Sequence, residues 1–123
     1  MAKIMIADDS KFMRKMLSDI FTAEGHQIIG ESENARETIE LYKKLRPDLV
    51  TLDIIMPLVE GIEALSALKA MIEENPQAKV VMVSALGQEN VVEECIRAGA
   101  KAFIIKPFRS FNVAEVVNDV LKA

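Results

Sequence analysis

The stretch Leu49-Val50-Thr51-Leu52-Asp53-Ile54-Ile55-Met56-Pro57 decides the fold. Its first four residues form an apolar run too short for a helix, as expected of a strand buried on both faces. The run ends in a carboxylate, Asp53, and a proline closes the segment. Runs of the same kind recur at Ile4 to Ala7, Ile28 to Gly30, Val80 to Val83 and Ala102 to Ile105.

Segments of helical periodicity separate these runs. Phe12, Met13, Met16, Leu17, Ile20 and Phe21 form one stripe, Ala35, Ile39, Tyr42 and Leu45 a second, and Ile62, Leu65, Leu68 and Ile72 a third. Val91, Val92, Cys95 and Ile96 make the fourth, and Val113, Val116, Val117, Val120 and Leu121 the fifth. Pro47, Pro57, Pro76 and Pro107 all fall between stripes, where they cost no helix its hydrogen bonds. Ser10 and Asn34 stand at expected N-cap positions, and Asn112 with Glu115 resembles a capping pair.

The order is therefore strand then helix, repeated five times. Such alternation implies a parallel sheet with right-handed crossovers and helices on both faces. A closed eight-stranded barrel needs about 250 residues, twice the 123 present. An open, doubly wound, flavodoxin-like α/β sheet in the order 2-1-3-4-5, with five helices, suits five units. Residues 1–123 read as one domain, with no output domain after the last helix and no linker or low-complexity tract.

Composition narrows the function. Half of the residues are hydrophobic and 28% charged, which excludes fibrous and disordered classes. The net charge of −4 carries no basic stripe, which argues against a nucleic-acid partner. Cys95 is alone, so no internal disulfide forms, and it reads as a small core residue; no cysteine and histidine cluster suits zinc. The N-terminal apolar run is too short for a signal peptide, and no stretch approaches the ~20 residues of a membrane span. A cytoplasmic protein with no membrane insertion is the expectation.

Ligands of open α/β sheets bind beyond the carboxyl ends of the strands, where strand order reverses. The residues ending the runs are Asp8 and Asp9, Asp53, Ser84 and Lys106. Strands one and three are neighbours in the expected order, which brings Asp8, Asp9 and Asp53 together. Carboxylates so crowded must raise their pKa values or take up a cation, and a hard divalent ion such as magnesium suits an all-oxygen set. Asp53 as nucleophile would form an aspartyl phosphate, with Lys106 and the Ser84 hydroxyl on phosphoryl oxygens. Each group alone has a plainer reading: helix-start acids, a turn residue, a cap and a surface lysine. Together on one rim they point to a site. His26, the only histidine, stands beside the second run and away from that rim.

Asp8-Asp9, the run Leu52 to Pro57 with Gly61, Ser84-Ala85 and Lys106-Pro107-Phe108 resemble the receiver domain of two-component response regulators, over essentially the whole chain. CheY-like receivers are a known instance of the 2-1-3-4-5 order, so that order is not an independent reading of the periodicity, and the resemblance implies the fold with more force. It implies Asp53 as phosphoacceptor, with magnesium on Asp8, Asp9, Asp53 and the backbone carbonyl of Ile55, Asp8 acting mainly through a metal-bound water. It implies a cis peptide before Pro107, Ser84 as the hydroxyl switch and Phe103 as the aromatic switch. The fourth helix, fifth strand and fifth helix would then present a changed face to a partner.

Asp9 to Arg14 and Ser84 to Gln88 are similar to the chemotaxis CheY-like group. That similarity implies a monomeric regulator phosphorylated by a chemotaxis-type histidine kinase, docking on a flagellar motor switch protein, with a phosphatase as a further partner. Three features depart from the family. Phe103 lacks the hydroxyl of the common tyrosine, Glu60 stands where aspartate is frequent, and Ile55 and Leu86 put apolar side chains where polar ones tune hydrolysis. A haloacid-dehalogenase-type phosphatase would need a second aspartate at position 55, and a flavodoxin-like electron carrier a hydroxyl-rich loop where Asp8 and Asp9 stand. A phosphorelay carrier or phosphate sink shares every site residue, whereas a module that is never phosphorylated would commonly lose the acids or the lysine.

Overall fold

The computed structural model describes residues 1–59 and 61–123; Glu60 lies outside the described residues. Strands β1 (Lys3–Ala7), β2 (Gln27–Ser32), β3 (Leu49–Asp53), β4 (Val80–Ser84) and β5 (Ala102–Ile105) alternate with helices α1 (Lys11–Ala23), α2 (Ala35–Leu45), α3 (Ala64–Glu74), α4 (Glu89–Ala98) and α5 (Ser110–Lys122). The strands form one parallel sheet in the order β2-β1-β3-β4-β5, as expected.

Side chains alternate across the sheet. Met5, Ala7, Val50, Leu52, Val80 and Met82 face one core with Tyr42 of α2, Leu68 and Met71 of α3 and Cys95 of α4. Ile4, Ile6, Leu49, Val81 and Ile104 face the other with Leu17 and Phe21 of α1 and Val113 and Val117 of α5. The central strands β1, β3 and β4 are buried on both faces, which is why they read as continuous apolar runs. On the edge strand, Ile4 pairs with Ile28 but Met5 with Gly30, so Ile29 is an extra residue that bends β2. Gly30 lets α2 come close, since a Cβ there would lie 2.6 Å from Leu45 Cδ1.

The caps at Ser10 and Asn34 form as expected: their side chains accept from the Met13 and Glu37 amides at 3.2 and 2.8 Å. Three details differ from the sequence reading. Phe12 is 72% exposed because Arg14, Leu17 and Phe21 define the inward face of α1. Ile62 precedes α3 and pairs with Val59 in an isolated bridge. Asn112 and Glu115 lie inside α5, whose N-cap is the extended Arg109; both are exposed, and their spacing is simply that of neighbours on a helix surface. Among the described residues no helix is long and apolar enough to cross a membrane.

Thr51 is fully buried in the middle of β3, and among the described residues its hydroxyl has no hydrogen-bond partner. Burying an unpaired hydroxyl costs about 1 kcal/mol or more. Thr51→Val should therefore raise the urea midpoint, with a gain of ~1 kcal/mol and an unchanged denaturant slope.

Candidate functional site

Parallel pairing of β1 with β3 sets Ala7 opposite Leu52, so the chain leaves both strands on the same edge of the sheet. Asp8 and Asp53 emerge side by side there, and one carboxylate oxygen from each of Asp8, Asp9 and Asp53 lies within 4.8 Å of the others. Asp8 and Asp53 are buried, at 1% and 5% exposure, while Asp9 opens to solvent. Lys106, just past β5, donates from Nζ to Asp53 Oδ2 at 3.2 Å and to Asp8 Oδ2 at 3.4 Å. The backbone completes the frame: Ser10 N donates to Asp8 Oδ1 at 2.9 Å and Ile55 N to Asp53 Oδ1 at 3.3 Å.

Ser84 ends β4, is 2% exposed, and accepts the Lys106 amide on its carbonyl at 2.7 Å. The residues expected at the rim, Asp8, Asp9, Asp53, Ser84 and Lys106, are thus gathered at one edge of the sheet. The Lys106–Pro107 peptide is cis, as the resemblance implied. Phe103 is 44% exposed and lines an apolar groove with Ser84, Leu86, Val92, Ile96 and Ile105. Ile55 and Leu86 are exposed. His26 is engaged elsewhere, between the Ala2 amide and Asn118 Oδ1, each at 3.1 Å. Cys95 is buried in the core, where burial and then Glu94 push its thiol pKa up.

Burial pushes the Asp53 carboxyl up, and the neighbouring Asp8 charge adds to this, giving a pKa of about 6 despite the opposing pull of Lys106. For Lys106, burial pulls down, but Asp53 and Asp8 together outweigh it and hold the ammonium above its ordinary value. Three carboxylates therefore face one ammonium. An all-oxygen donor set with excess negative charge fits a hard divalent cation of the magnesium type.

Sequence reasoning missed Arg14, which is 8% exposed and donates from Nη1 to the Asp8 carbonyl at 2.7 Å. The available signal was a charged residue between Met13 and Leu17 in an apolar stripe.

Residues 4–118 match the family model of the response regulator receiver domain. The chain belongs to the response regulator receiver family. It is 48% identical to the chemotaxis protein CheY of Thermotoga maritima over 120 residues, 98% of each chain. It is 44% identical to CheY of Bacillus subtilis, with 97% of each chain covered. Among solved structures, a chain of the CheX-CheY-BeF3-Mg2+ complex of Borrelia burgdorferi superposes with a TM-score of 0.89 at 39% identity, covering 96% of this chain and 87% of that one. The protein is a CheY-like response regulator, and receivers of this kind typically use magnesium.

The raised Asp53 pKa has a sign that can be tested. The carboxyl titrates at about 6 in the fold against 3.8 as a free group, so folding penalises its ionised form. That penalty is absent below about pH 3.8, grows as pH rises, and is complete above pH 6. In metal-free buffer Asp53→Asn should be more stable than the native chain by about 3 kcal/mol at pH 8. The gap should close as the pH is lowered toward 4, as read by urea denaturation.

Proposed function

We propose that this receiver accepts a phosphoryl group on Asp53 from a chemotaxis-type histidine kinase and signals by docking in the phosphorylated state on a flagellar motor switch protein. It would act as a cytoplasmic monomer, catalysing its own phosphorylation and its own slow dephosphorylation. The observation that carries this reading is the Asp53 carboxylate, recessed between Asp8 and the Lys106 ammonium at the carboxyl edge of the sheet. Full-length likeness to CheY proteins supports the chemotaxis assignment. The Borrelia burgdorferi complex supports a CheX-like protein as a further partner.

In this reading one Asp53 oxygen attacks the phosphorus of a phosphohistidine. An O–P bond forms as the P–N bond breaks, and the imidazole nitrogen keeps the electron pair and takes a proton. The Lys106 ammonium and the Ser84 hydroxyl each donate to an oxygen of the transferred group. Asp8, Asp9, Asp53 and the Ile55 carbonyl would hold magnesium, with Asp8 acting chiefly through a bound water. When bound, magnesium offsets the carboxylate charge and shields the phosphoryl group from it. Movement of Ser84 toward the phosphoryl group opens space in the groove it shares with Phe103, and rotation of that ring alters the face formed by α4, β5 and α5.

Intact-protein mass after incubation with acetyl phosphate tests the chemistry. A magnesium-dependent gain of one phosphoryl group is expected on the native chain and none on Asp53→Asn; no gain on the native chain, or an equal gain on the variant, overturns the reading. Decay of the phosphorylated chain tests the exposed apolar pair. Neither Ile55 nor Leu86 can hydrogen-bond an attacking water, so Ile55→Asn and Leu86→Glu should speed loss by about tenfold or more. Unchanged decay in both variants would remove that role.

A further inference from the structure

Helix α1 turns one charged side chain into the protein. The Arg14 guanidinium donates from Nη1 to the Asp8 carbonyl at 2.7 Å and from Nε to Glu31 Oε1 at 2.9 Å, and its Nη2 lies 3.5 Å from Glu33 Oε1. Glu31 belongs to β2 and Glu33 follows it, so Arg14 spans from the edge strand to the turn that carries the acidic pair. The two glutamates are exposed, and ion pairs with exposed partners contribute little to stability. The atom that Arg14 grips suggests another purpose.

Asp8 and Asp9 are held in opposite ways. Every polar group of Asp8 is engaged: its amide donates to the Ser32 carbonyl at 3.0 Å, its carbonyl accepts from Arg14, and its two carboxylate oxygens accept from Ser10 N and Lys106 Nζ. Asp9 is exposed, and among the described residues no hydrogen bond holds its carboxylate. Its direction therefore follows from the peptide plane that joins it to Asp8. The oxygen of that plane is the one Arg14 holds.

We propose that Arg14 is a positioning residue for Asp9. By fixing the Asp8–Asp9 peptide it keeps the Asp9 carboxylate turned into the acidic cluster, and Glu31 and Glu33 in turn hold Arg14 from the edge of the sheet. Arg14 itself touches neither the phosphoryl group nor the cation. This inference rests on the reading of the cluster as a divalent-cation site, where groups that orient a ligand change affinity by about 10- to 100-fold.

Cation affinity separates this role from two others. A guanidinium acting only by its charge repels the cation, so Arg14→Met would bind it more tightly and Arg14→Lys about as well as the native chain. A merely structural arginine would leave affinity unchanged in any variant that folds. A positioning arginine predicts weaker binding in both, because lysine is a point donor that cannot span the Asp8 carbonyl and two glutamates.

The experiment is a titration of the unphosphorylated full chain with Mn2+, followed by electron paramagnetic resonance of the free ion, with folding checked by circular dichroism. The expected result is about tenfold weaker binding in Arg14→Met, and a smaller weakening in Arg14→Lys. Equal or tighter binding in a folded Arg14→Met overturns the proposal. If Arg14→Met does not fold, Arg14→Lys decides, and native affinity there overturns it as well. Failure of the native chain to bind Mn2+ would overturn the cation-site reading itself and this proposal with it.

Discussion

Crowding of three carboxylates at the open end of β1 and β3 is the constraint around which this molecule is arranged. Parallel strands force it, because neighbours that run the same way deliver their last residues to the same edge. Two of the acids are nearly inaccessible to water, so they cannot shed their repulsion into solvent. Lys106 offsets part of the charge, yet burial first and the Asp8 charge second leave Asp53 with a raised pKa. A site left short of positive charge is disposed to bind a cation and an electrophilic phosphoryl group.

The surrounding fold serves to hold that edge still. Dry cores on both faces anchor the central strands, the backbone amides of Ser10 and Ile55 accommodate the carboxylates, and the Ser84 carbonyl holds the Lys106 amide. Outside this frame the groove of Phe103 and Leu86 is open and apolar, so a change at Ser84 has a short path to an exposed surface. Ser84 links the two, since it ends β4 at that edge, opposite Ile105, and lines the groove together with Phe103.

Much of this was legible before the structure. The five apolar runs became the five strands within a residue or two, and the central ones, β1, β3 and β4, are buried on both faces and leave an uninterrupted signature. Asp8, Asp53, Ser84 and Lys106 could be picked out because each stands where a run ends. Reading α1 was harder, since its stripe held Phe12 and passed over Arg14. Hydrophobicity alone places a phenylalanine inward and an arginine outward, whereas a buried guanidinium is made tolerable by partners distant in sequence. The Asn112 and Glu115 pair misled for a related reason: capping spacing and helix-surface spacing coincide.

By itself the sequence determined the element order and the chemical types that end the strands, because periodicity and strand ends are local properties, and family resemblance supplied the strand order. Tertiary structure alone decided how those groups share charge. Burial of Asp53, the division of the Lys106 ammonium between two acids, and the grip of Arg14 on the Asp8 carbonyl depend on distances between residues far apart in the chain. Electrostatic energy follows separation and solvent access, and neither is written in the order of the residues.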